Sequence, residues 1–169
     1  QNGFREDPAC EHPLNVYAYS KFLFDNYVRR LRPPLGSQVV GLRYFNVFGP
    51  QENHKGRMAS IAWQLYHQLK KDGVARLFVG TDGYGDGEQS RDFIYVKDLV
   101  NVHLFFWQNR QRSGVFNCGT GAANPFNAVA RALIARLGFG HIEYVPFPAS
   151  LVGKYQSFTE ADLTLLRAS

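Results

Sequence analysis

The stretch Tyr17-Ala18-Tyr19-Ser20-Lys21 carries the most information about the fold of this chain. Apolar residues continue beyond it at helical spacing, which predicts an amphipathic helix that ends near Arg29 and Arg30. One helical turn rises about 5.4 Å, so Tyr17 and Lys21 are expected one above the other on the same face. The segment Pro33-Pro34-Leu35-Gly36 is expected to stop this helix.

The spacing of this tyrosine and lysine indicates proton transfer. A free phenol has a pKa of about 10 and is a poor acid or base at neutral pH, whereas a nearby ammonium favours the phenolate. The pair can therefore serve as a proton shuttle that oxidises an alcohol or reduces a ketone. Tyr-x-x-x-Lys also occurs by chance on ordinary helices, with a half-buried tyrosine and a solvated lysine.

A buried strand follows the helix. The apolar run 38–44 predicts this strand, and it breaks at the polar loop Asn46-Val47-Phe48-Gly49-Pro50. A helix, a buried strand and a loop at the carboxyl end of that strand follow one another as in a doubly wound sheet, which binds ligands at its strand ends. We therefore predict an α/β fold with a Rossmann-like, doubly wound parallel sheet.

Helices and strands alternate along the remainder of the chain. The patterns predict helices over 58–71, 98–108 and 126–137, strands over 76–79, 92–96, 115–117 and 142–145, and a helix start at 159–162. The loop 81–87 contains spaced aspartates, but it lacks the paired spacing and the distal glutamate of a calcium loop. We predict no metal site.

Composition narrows the class of protein. The chain has 169 residues, of which 45% are hydrophobic, enough for one core-bearing domain. A net charge of +5 suits an anionic ligand, but the basic residues are scattered, so we predict no nucleic-acid binding. The apolar run 102–107 is too short to span a membrane. Cys10 and Cys118 have no metal-ligand spacing, and we expect free thiols in a cytoplasmic protein.

Several motifs in order resemble the extended short-chain dehydrogenase/reductase family of sugar-nucleotide epimerases and dehydratases. They are the Tyr17 motif, Arg43-Tyr44-Phe45-Asn46-Val47-Phe48-Gly49-Pro50, Arg91-Asp92-Phe93-Ile94-Tyr95-Val96-Lys97-Asp98 and Phe116-Asn117-Cys118-Gly119-Thr120-Gly121. The stretches 54–60, 85–93, 142–148 and 153–163 are similar to the ADP-heptose 6-epimerase subfamily. The resemblance covers nearly the whole chain from Glu11 onward.

The resemblance implies roles for particular residues. Tyr17 and Lys55 would be catalytic, because epimerisation needs proton transfer on both faces of the substrate. Tyr17, Lys21 and Val47 would contact the cofactor. The expected substrate-binding residues are Asn46, Arg57, Gln64, Phe78, Val79, Gly80, Thr81, Arg91 and Tyr155. Some family members have serine where Arg57 stands and histidine where Gln64 stands, so this chain departs from the pattern at these two positions.

Simpler interpretations exist for three of these residues. Lys55 could be a solvated loop lysine, since most lysines are exposed. Asn46 could cap the turn that follows the strand. Arg91 could form a surface ion pair with Asp92 or Glu88 instead of a diphosphate clamp.

A Rossmann cofactor site needs a strand, a glycine-rich turn and a helix N-terminus, and residues 1–12 do not have that pattern. We therefore expect a partial domain over 1–169, an internal fragment of a longer enzyme. Residues 1–50 would hold late Rossmann elements with the catalytic helix. Residues 51–169 would form mostly a smaller α/β substrate-binding region, with returning Rossmann elements. The full-length enzyme is expected to be a homo-oligomer.

The implied activity is epimerisation of an ADP-heptose at position 6, by transient oxidation to a ketone, for lipopolysaccharide core precursor synthesis. The expected cofactor is NADP; NAD stays possible, because the residue that distinguishes them would lie upstream. The expected partner is a nucleotide-diphosphate heptose. The alternatives are another sugar-nucleotide enzyme of the family (a hexose 4-epimerase or a 4,6-dehydratase) and a non-catalytic ligand sensor, which would not need the tyrosine–lysine pair.

Overall fold

A computed structural model describes residues 4–13, 15–31, 36–153 and 155–169. Most of the predicted helix stop, residues 33–35, lies outside this part of the chain. The described α-helices are α1 (Val16–Leu31), α2 (Ile61–Asp72), α3 (Val96–Gln108), α4 (Phe126–Leu137) and α5 (Thr164–Arg167). The strands are β1 (Val40–Tyr44), β2 (Asn46–Phe48), β3 (Val74–Phe78), β4 (Ser90–Tyr95), β5 (Gly114–Cys118), β6 (Ala123–Pro125) and β7 (His141–Val145).

Parallel pairing dominates the strands. β1 pairs with β5, β2 with β4 and β3 with β7, each in parallel, and β6 adds an antiparallel edge to β4. Parallel neighbours need crossover connections, and helices α2, α3 and α4 lie in the connecting segments. The predicted α/β class with a parallel sheet is therefore confirmed.

The chain changes its strand partner between β1 and β2. The Phe45 amide donates to the Cys118 carbonyl at 3.0 Å at the end of the β1–β5 ladder, and Asn46 then begins the pairing with β4. The sequence predicted a loop over 46–50, which is wrong for 46–48, since these residues form a strand. The loop begins at Gly49, where a Cβ would lie 2.4 Å from Val96 Cγ1, so α3 can approach only a glycine.

Two hydrophobic clusters form the core. The larger one joins α2, β3 and α4, and its buried residues are Leu65, Leu69, Ala75, Leu77 and Ala130. The smaller one contains Ile94, Leu99 and Cys118, with Val47 and Val102 packed against it. Burial raises the pKa of the Cys118 thiol to about 11. Cys118 and the exposed Cys10 are both free thiols.

Three helix starts differ from the sequence prediction, and the helix predicted over 98–108 begins two residues earlier, at Val96. The helix predicted from 58 starts at Ile61, because Ser60 Oγ accepts the Trp63 amide at 3.2 Å and caps it, while Asn53–Met58 form a separate 3₁₀ segment. The helix start predicted at 159–162 is wrong. Thr159 instead donates its amide to Ser90 at 3.1 Å, and α5 begins only after Asp162, whose Oδ1 accepts the Thr164 amide at 2.9 Å.

The buried side chain of Asp92 joins three separate segments of the chain. Its buried carboxylate accepts hydrogen bonds from Thr120 N and Oγ1 at 2.7 Å, from Gly121 N at 2.9 Å and from Ala161 N at 3.1 Å. A Cβ at Gly119 would lie 2.5 Å from Asp92 Oδ2. The backbone amides of the glycine-containing turn 119–121 therefore bind the Asp92 carboxylate. Through these bonds Asp92 links β4 to the turn after β5 and to the C-terminal segment.

No helix in the described ranges is long and apolar enough to cross a membrane.

Candidate active site

Tyr17 and Lys21 lie in the first two turns of α1. Asn15 Oδ1 accepts the Ala18 amide at 2.9 Å at the start of this helix. As the helical spacing predicts, the two side chains share a face, and Lys21 Nζ lies 5.1 Å from the centroid of the Tyr17 ring. Tyr17 is 73% exposed. Its hydroxyl and the lysine ammonium are therefore presented to solvent on one side of the helix.

Both side chains line a cavity of about 660 Å³ between α1 and β1. Apolar residues of its wall include Phe22 and Leu42, and Gln156 approaches it from the C-terminal segment. A cavity of this size, with an apolar wall and a few polar groups, has the usual character of a small-molecule site.

An ion network holds α1 beside β1. No residue of α1 is buried, so the helix has little core packing of its own. Arg43 on β1 lies 2.7 Å from Asp25 Oδ2 on α1 and 2.5 Å from Glu11 Oε1. Arg29 Nη1 donates to Glu11 Oε2 at 2.8 Å. These charges lie far apart in sequence, and sequence reasoning did not identify them.

The acidic member of this network makes stability depend on pH. Hydrogen bonding to Arg29, and to a lesser extent the hydrogen bond and charge of Arg43, outweigh the opposing effect of burial and together lower the pKa of Glu11 to about 2. A carboxyl with a depressed native pKa stabilises the fold above its unfolded value of 4.5, and this stability is lost as the pH falls toward 2.

We therefore expect Glu11→Gln to lower the melting temperature at pH 7 and to have a smaller effect at pH 3, where the parent has itself lost part of the contribution of Glu11. Thermal unfolding of the two proteins between pH 7 and pH 3 measures this difference. Glu143→Gln, at an exposed pair with Arg76, is the matched control and should change the melting temperature little at either pH. If the melting temperatures of the parent and Glu11→Gln differ by the same amount at pH 7 and pH 3, the depressed pKa of Glu11 is contradicted.

At the carboxyl end of β1, Asn46 and Val47 have different environments. Asn46 Nδ2 donates to Thr159 Oγ1 at 3.3 Å, so its amide joins β2 to the C-terminal segment and does not cap the following turn. The Val47 side chain packs against the smaller core cluster. These contacts place both residues beside the strand ends, and their cofactor and substrate roles stay predictions.

Lys55 lies on the 3₁₀ segment that follows β2, with its side chain 43% exposed and its Nζ 3.4 Å from Glu52 Oε2. The simpler interpretation, a solvated loop lysine, agrees with this exposure, and the catalytic role of Lys55 stays a prediction. Arg57 is exposed on the same segment. Gln64 Nε2 donates to the carbonyls of Ala59 at 2.7 Å and Arg57 at 3.3 Å, so this side chain closes the loop onto α2.

The predicted nucleotide-binding residues begin at the end of β3. Gln89 Nε2 donates to the Val79 carbonyl at 3.0 Å, and Thr81 accepts the Tyr84 amide at 2.9 Å. Gly80 donates its amide to Asp86 Oδ1 at 2.7 Å, and a Cβ there would lie 2.0 Å from the Tyr84 carbonyl oxygen. The loop can close only over a glycine at this position.

Aromatic contacts join this loop to Arg91 and Tyr155. Phe78 packs edge-on against Phe147 at 5.4 Å between ring centroids, and Phe147 packs against Tyr155 at 5.3 Å. The Arg91 guanidinium carbon lies 4.8 Å from the centroid of the Tyr155 ring and 5.6 Å from that of Phe126. The structure thus brings Phe78, Arg91 and Tyr155 into one cluster, with Phe126 and Phe147 as members that sequence reasoning missed.

Arg91 is buried without a carboxylate. Its residue exposure is 8%, its Nη1 donates to the Ser90 carbonyl at 3.0 Å, and no ion pair joins it to any described residue. Asp92 and Glu88, the partners that a surface pair would need, are bonded elsewhere, Asp92 to the 119–121 turn and Glu88 to Asn127. Burial lowers the pKa of Arg91 below its ordinary value. A buried cation without a counter-charge is the feature that an anionic ligand would complete.

No group of three or more His, Cys, Asp or Glu residues within the described ranges is arranged to hold a metal ion. Two aspartates of the 81–87 loop are engaged by the protein itself. Asp82 accepts the Ser157 hydroxyl at 2.5 Å, and Asp86 accepts the Gly80 amide.

Known proteins share this architecture and sequence. The chain is 55% identical over 98% of its length to the ADP-L-glycero-D-manno-heptose-6-epimerase of Alkalilimnicola ehrlichii and covers 52% of that protein. The crystal structure of the Helicobacter pylori ADP-L-glycero-D-manno-heptose-6-epimerase superposes with a TM-score of 0.79 at 30% identity, over 98% of this chain and 48% of that one. The chain therefore spans about half the length of these relatives.

A more distant structure has the same fold. The UDP-glucose 4-epimerase of Thermus thermophilus, solved in complex with NAD, superposes with a TM-score of 0.78 at 24% identity, over 99% of this chain and 52% of that one. The model of the NAD dependent epimerase/dehydratase family matches residues 2–119, which include the Tyr17–Lys21 pair, the β1–β2 strand ends and Arg91. With more than half of its length matched in this way, the chain belongs to the NAD dependent epimerase/dehydratase family.

Proposed function

We propose that the full-length protein that carries this chain interconverts the 6-epimers of an ADP-heptose, with NADP as cofactor, in the synthesis of lipopolysaccharide precursors. The observation that carries the proposal is the tyrosine–lysine pair, Tyr17 and Lys21, on the wall of an open cavity. The 55% identity to a heptose 6-epimerase supports the choice of substrate.

The cavity fits the nicotinamide end of a dinucleotide. Lys21 presents an ammonium that can donate to ribose hydroxyls, Tyr17 presents a hydroxyl beside it, and Phe22 and Leu42 supply an apolar surface for a ring. A bound nicotinamide dinucleotide would supply the hydride acceptor and donor for oxidising and reducing the carbon at position 6.

Two residues of this chain would handle the proton. Tyr17 would exchange the proton of the substrate hydroxyl on one face of the intermediate ketone. Inversion places the hydroxyl on the other face, so a second group is needed there, and Lys55 on the loop after β2 would supply it. Lys55 is not among the described residues that line the Tyr17 cavity, so its access to the opposite face of the same carbon is part of the proposal.

Arg91 would bind the diphosphate of the sugar nucleotide. Its guanidinium lies near the rings of Tyr155 and Phe126 and has no carboxylate partner among the described residues, so its hydrogen-bond donors can turn to phosphate oxygens. Phe78 and Tyr155 belong to the same aromatic cluster and would face the nucleotide and the diphosphate or sugar. The cytoplasmic location and the homo-oligomeric state stay predictions.

The test of the proposed function is a direct assay. The full-length protein, purified and supplied with NADP, is incubated with one 6-epimer of ADP-glycero-manno-heptose, and the ratio of the two epimers is followed with time. We expect the mixture to reach the same ratio from either starting epimer. Conversion of UDP-glucose to its 4-epimer, with the heptose left unchanged, would instead support a hexose 4-epimerase.

Replacing Arg91 tests the diphosphate site. We expect Arg91→Lys to raise KM for the nucleotide sugar about 10–100-fold, because lysine keeps the charge but loses the planar, forked donors and the stacking. The value of kcat should change much less, since the group binds substrate away from the reacting carbon. Arg131→Lys, on the exposed face of α4, is the control. Equal KM values for parent and Arg91→Lys would exclude a diphosphate contact.

A further inference from the structure

The loop between β2 and α2 is built around a buried carboxylate. Glu52 is 3% exposed, and it accepts hydrogen bonds from Ser60 N at 2.7 Å, Ser60 Oγ at 2.6 Å and Gly49 N at 3.3 Å. Burial raises the pKa of Glu52, but the hydrogen bonds from Ser60 and Gly49 and the charge of Lys55 outweigh it, so its pKa lies below its ordinary value. The side chain is therefore ionised at neutral pH.

The backbone around Glu52 is held in unusual conformations. Gln51, immediately before it, has φ 66°, a region that residues other than glycine rarely occupy. Gly56, immediately after Lys55, has φ 53° and ψ −123°. Glycine adopts a positive φ readily, whereas the conformation of Gln51 persists only where the surrounding contacts over-determine it, and such conformations concentrate at functional sites. The bonds from Glu52 to both ends of the loop are contacts of this kind.

Lys55 reaches this carboxylate from the solvent side. Its Nζ lies 3.4 Å from Glu52 Oε2, and no other acidic side chain in the described ranges forms an ion pair with it. The lysine side chain is 43% exposed and that of the glutamate 4%. A pair with one exposed member contributes little to stability. The pair instead restricts where the flexible lysine side chain can lie, because its partner Glu52 is fixed by three other hydrogen bonds.

We propose that Glu52 is a positioning residue that holds Lys55 in place for proton transfer. The inference rests on the proposed function, in which Lys55 serves the face of the substrate opposite Tyr17. Glu52 links the amide of Gly49 at the end of β2 and the capping residue Ser60 of α2 to the lysine ammonium. The position of Lys55 is thereby tied to the strand ends that surround the site.

The test compares Glu52→Gln and Lys55→Met, alone and together, in the full-length protein. The amide is nearly isosteric with the carboxylate, and its oxygen can still accept from Ser60, so the loop keeps most of its bonds while the lysine loses its charged partner. We expect Glu52→Gln to lower kcat for inversion about 10–100-fold with little change in KM, since a misplaced catalytic group costs about 10²-fold. In the Lys55→Met background, the same change should have less than about a twofold effect, as expected for coupled residues.

Ser60→Ala is the matched control. It removes the hydroxyl that bonds Glu52 and caps α2, but it leaves the Glu52–Lys55 contact in place. Ser60 Oγ supplies one of the three bonds that fix Glu52, and the amides of Ser60 and Gly49 remain, so Ser60→Ala should lower the melting temperature and lower kcat less than Glu52→Gln does, whereas a merely structural role of Glu52 predicts similar losses of kcat for both variants. If Glu52→Gln does not fold, Glu52→Asp is compared with Lys55→Met in the same way. The shorter side chain keeps its charge but places the carboxylate farther from Lys55.

The outcomes separate this inference from the proposed function. Equal losses from the Glu52 change with and without Lys55 would overturn the positioning role. The positioning role would also be overturned if Lys55→Met lowered kcat and Glu52→Gln did not. That result would leave the proposed role of Lys55 intact. A Lys55→Met enzyme that inverts the substrate at the parent rate would overturn both assignments.

Discussion

Replacing Tyr17 with phenylalanine in the full-length protein is expected to lower the rate of the proposed epimerisation by about 10²–10⁴-fold, the range for loss of a general acid or base. The substitution removes one oxygen from the wall of the cavity and leaves the ring against which Lys21 lies at 5.1 Å. Cofactor binding should therefore change by no more than a few-fold. The effect should appear in kcat, because the lost group acts on the reacting hydroxyl and not on the nucleotide.

Tyr19→Phe is the matched control for this experiment. Tyr19 lies on the same helix two residues further on and is 50% exposed, so its hydroxyl lies in a similar environment but outside the cavity wall. Epimer ratios followed with time give the rate, and fluorescence titration with NADP gives cofactor affinity. Near-normal turnover by Tyr17→Phe would mean that the Tyr17 hydroxyl takes no part in the reaction and would remove the observation on which the proposed function stands.

Local periodicity predicted the parts of this fold that depend on near neighbours. The spacing of Tyr17 and Lys21 predicted a shared helix face, and the structure has this arrangement in α1. The apolar pattern over 126–137 gave the bounds of α4, because Gly138 in a left-handed conformation ends the helix. Most strand positions were also predicted within one or two residues, since buried parallel strands form continuous apolar runs.

Long-range contacts could not be predicted in this way. Arg43 pairs with Glu11 across 32 positions, and nothing in the local sequence of either residue indicates the other. The residues at 159–162 resemble a helix start but form backbone bonds with Ser90 and Phe4, a tertiary contact that overrides local preference. Glu52 was missed for the same reason, because its importance comes from burial and not from its residue type or spacing.

For Arg91, sequence reasoning proposed two environments, and the structure excludes one of them. The motif allowed a diphosphate clamp or a surface ion pair, and charge alone does not distinguish these alternatives. Burial to 8% exposure, together with stacking on Tyr155 and Phe126, excludes the surface ion pair. Residue type thus suggested a cation for this cluster, whereas the burial of Arg91 among aromatic rings could be seen only in the fold, and the diphosphate contact stays a prediction.

Replacing Lys55 with methionine should separate a two-face epimerase from an enzyme that uses one acid or base. We expect inversion to slow by about 10²–10⁴-fold from either epimer, because the ketone then has a proton-transfer group on the Tyr17 face alone. Methionine keeps much of the aliphatic length of lysine and loses the ammonium. Glu52 keeps its bonds to Ser60 and Gly49, so the loop should stay folded.

The same variant should still exchange hydride on the Tyr17 face. A substrate analogue with an aldehyde at the reacting carbon tests this, because its oxidation and reduction need only one face and should proceed far faster than inversion. Lys71→Met, at the exposed end of α2, is the control and should match the parent in both assays. A Lys55→Met enzyme that inverts the heptose at close to the parent rate would contradict the two-face assignment, because the loop lysine would then have no part in proton transfer and Tyr17 would have to serve both faces.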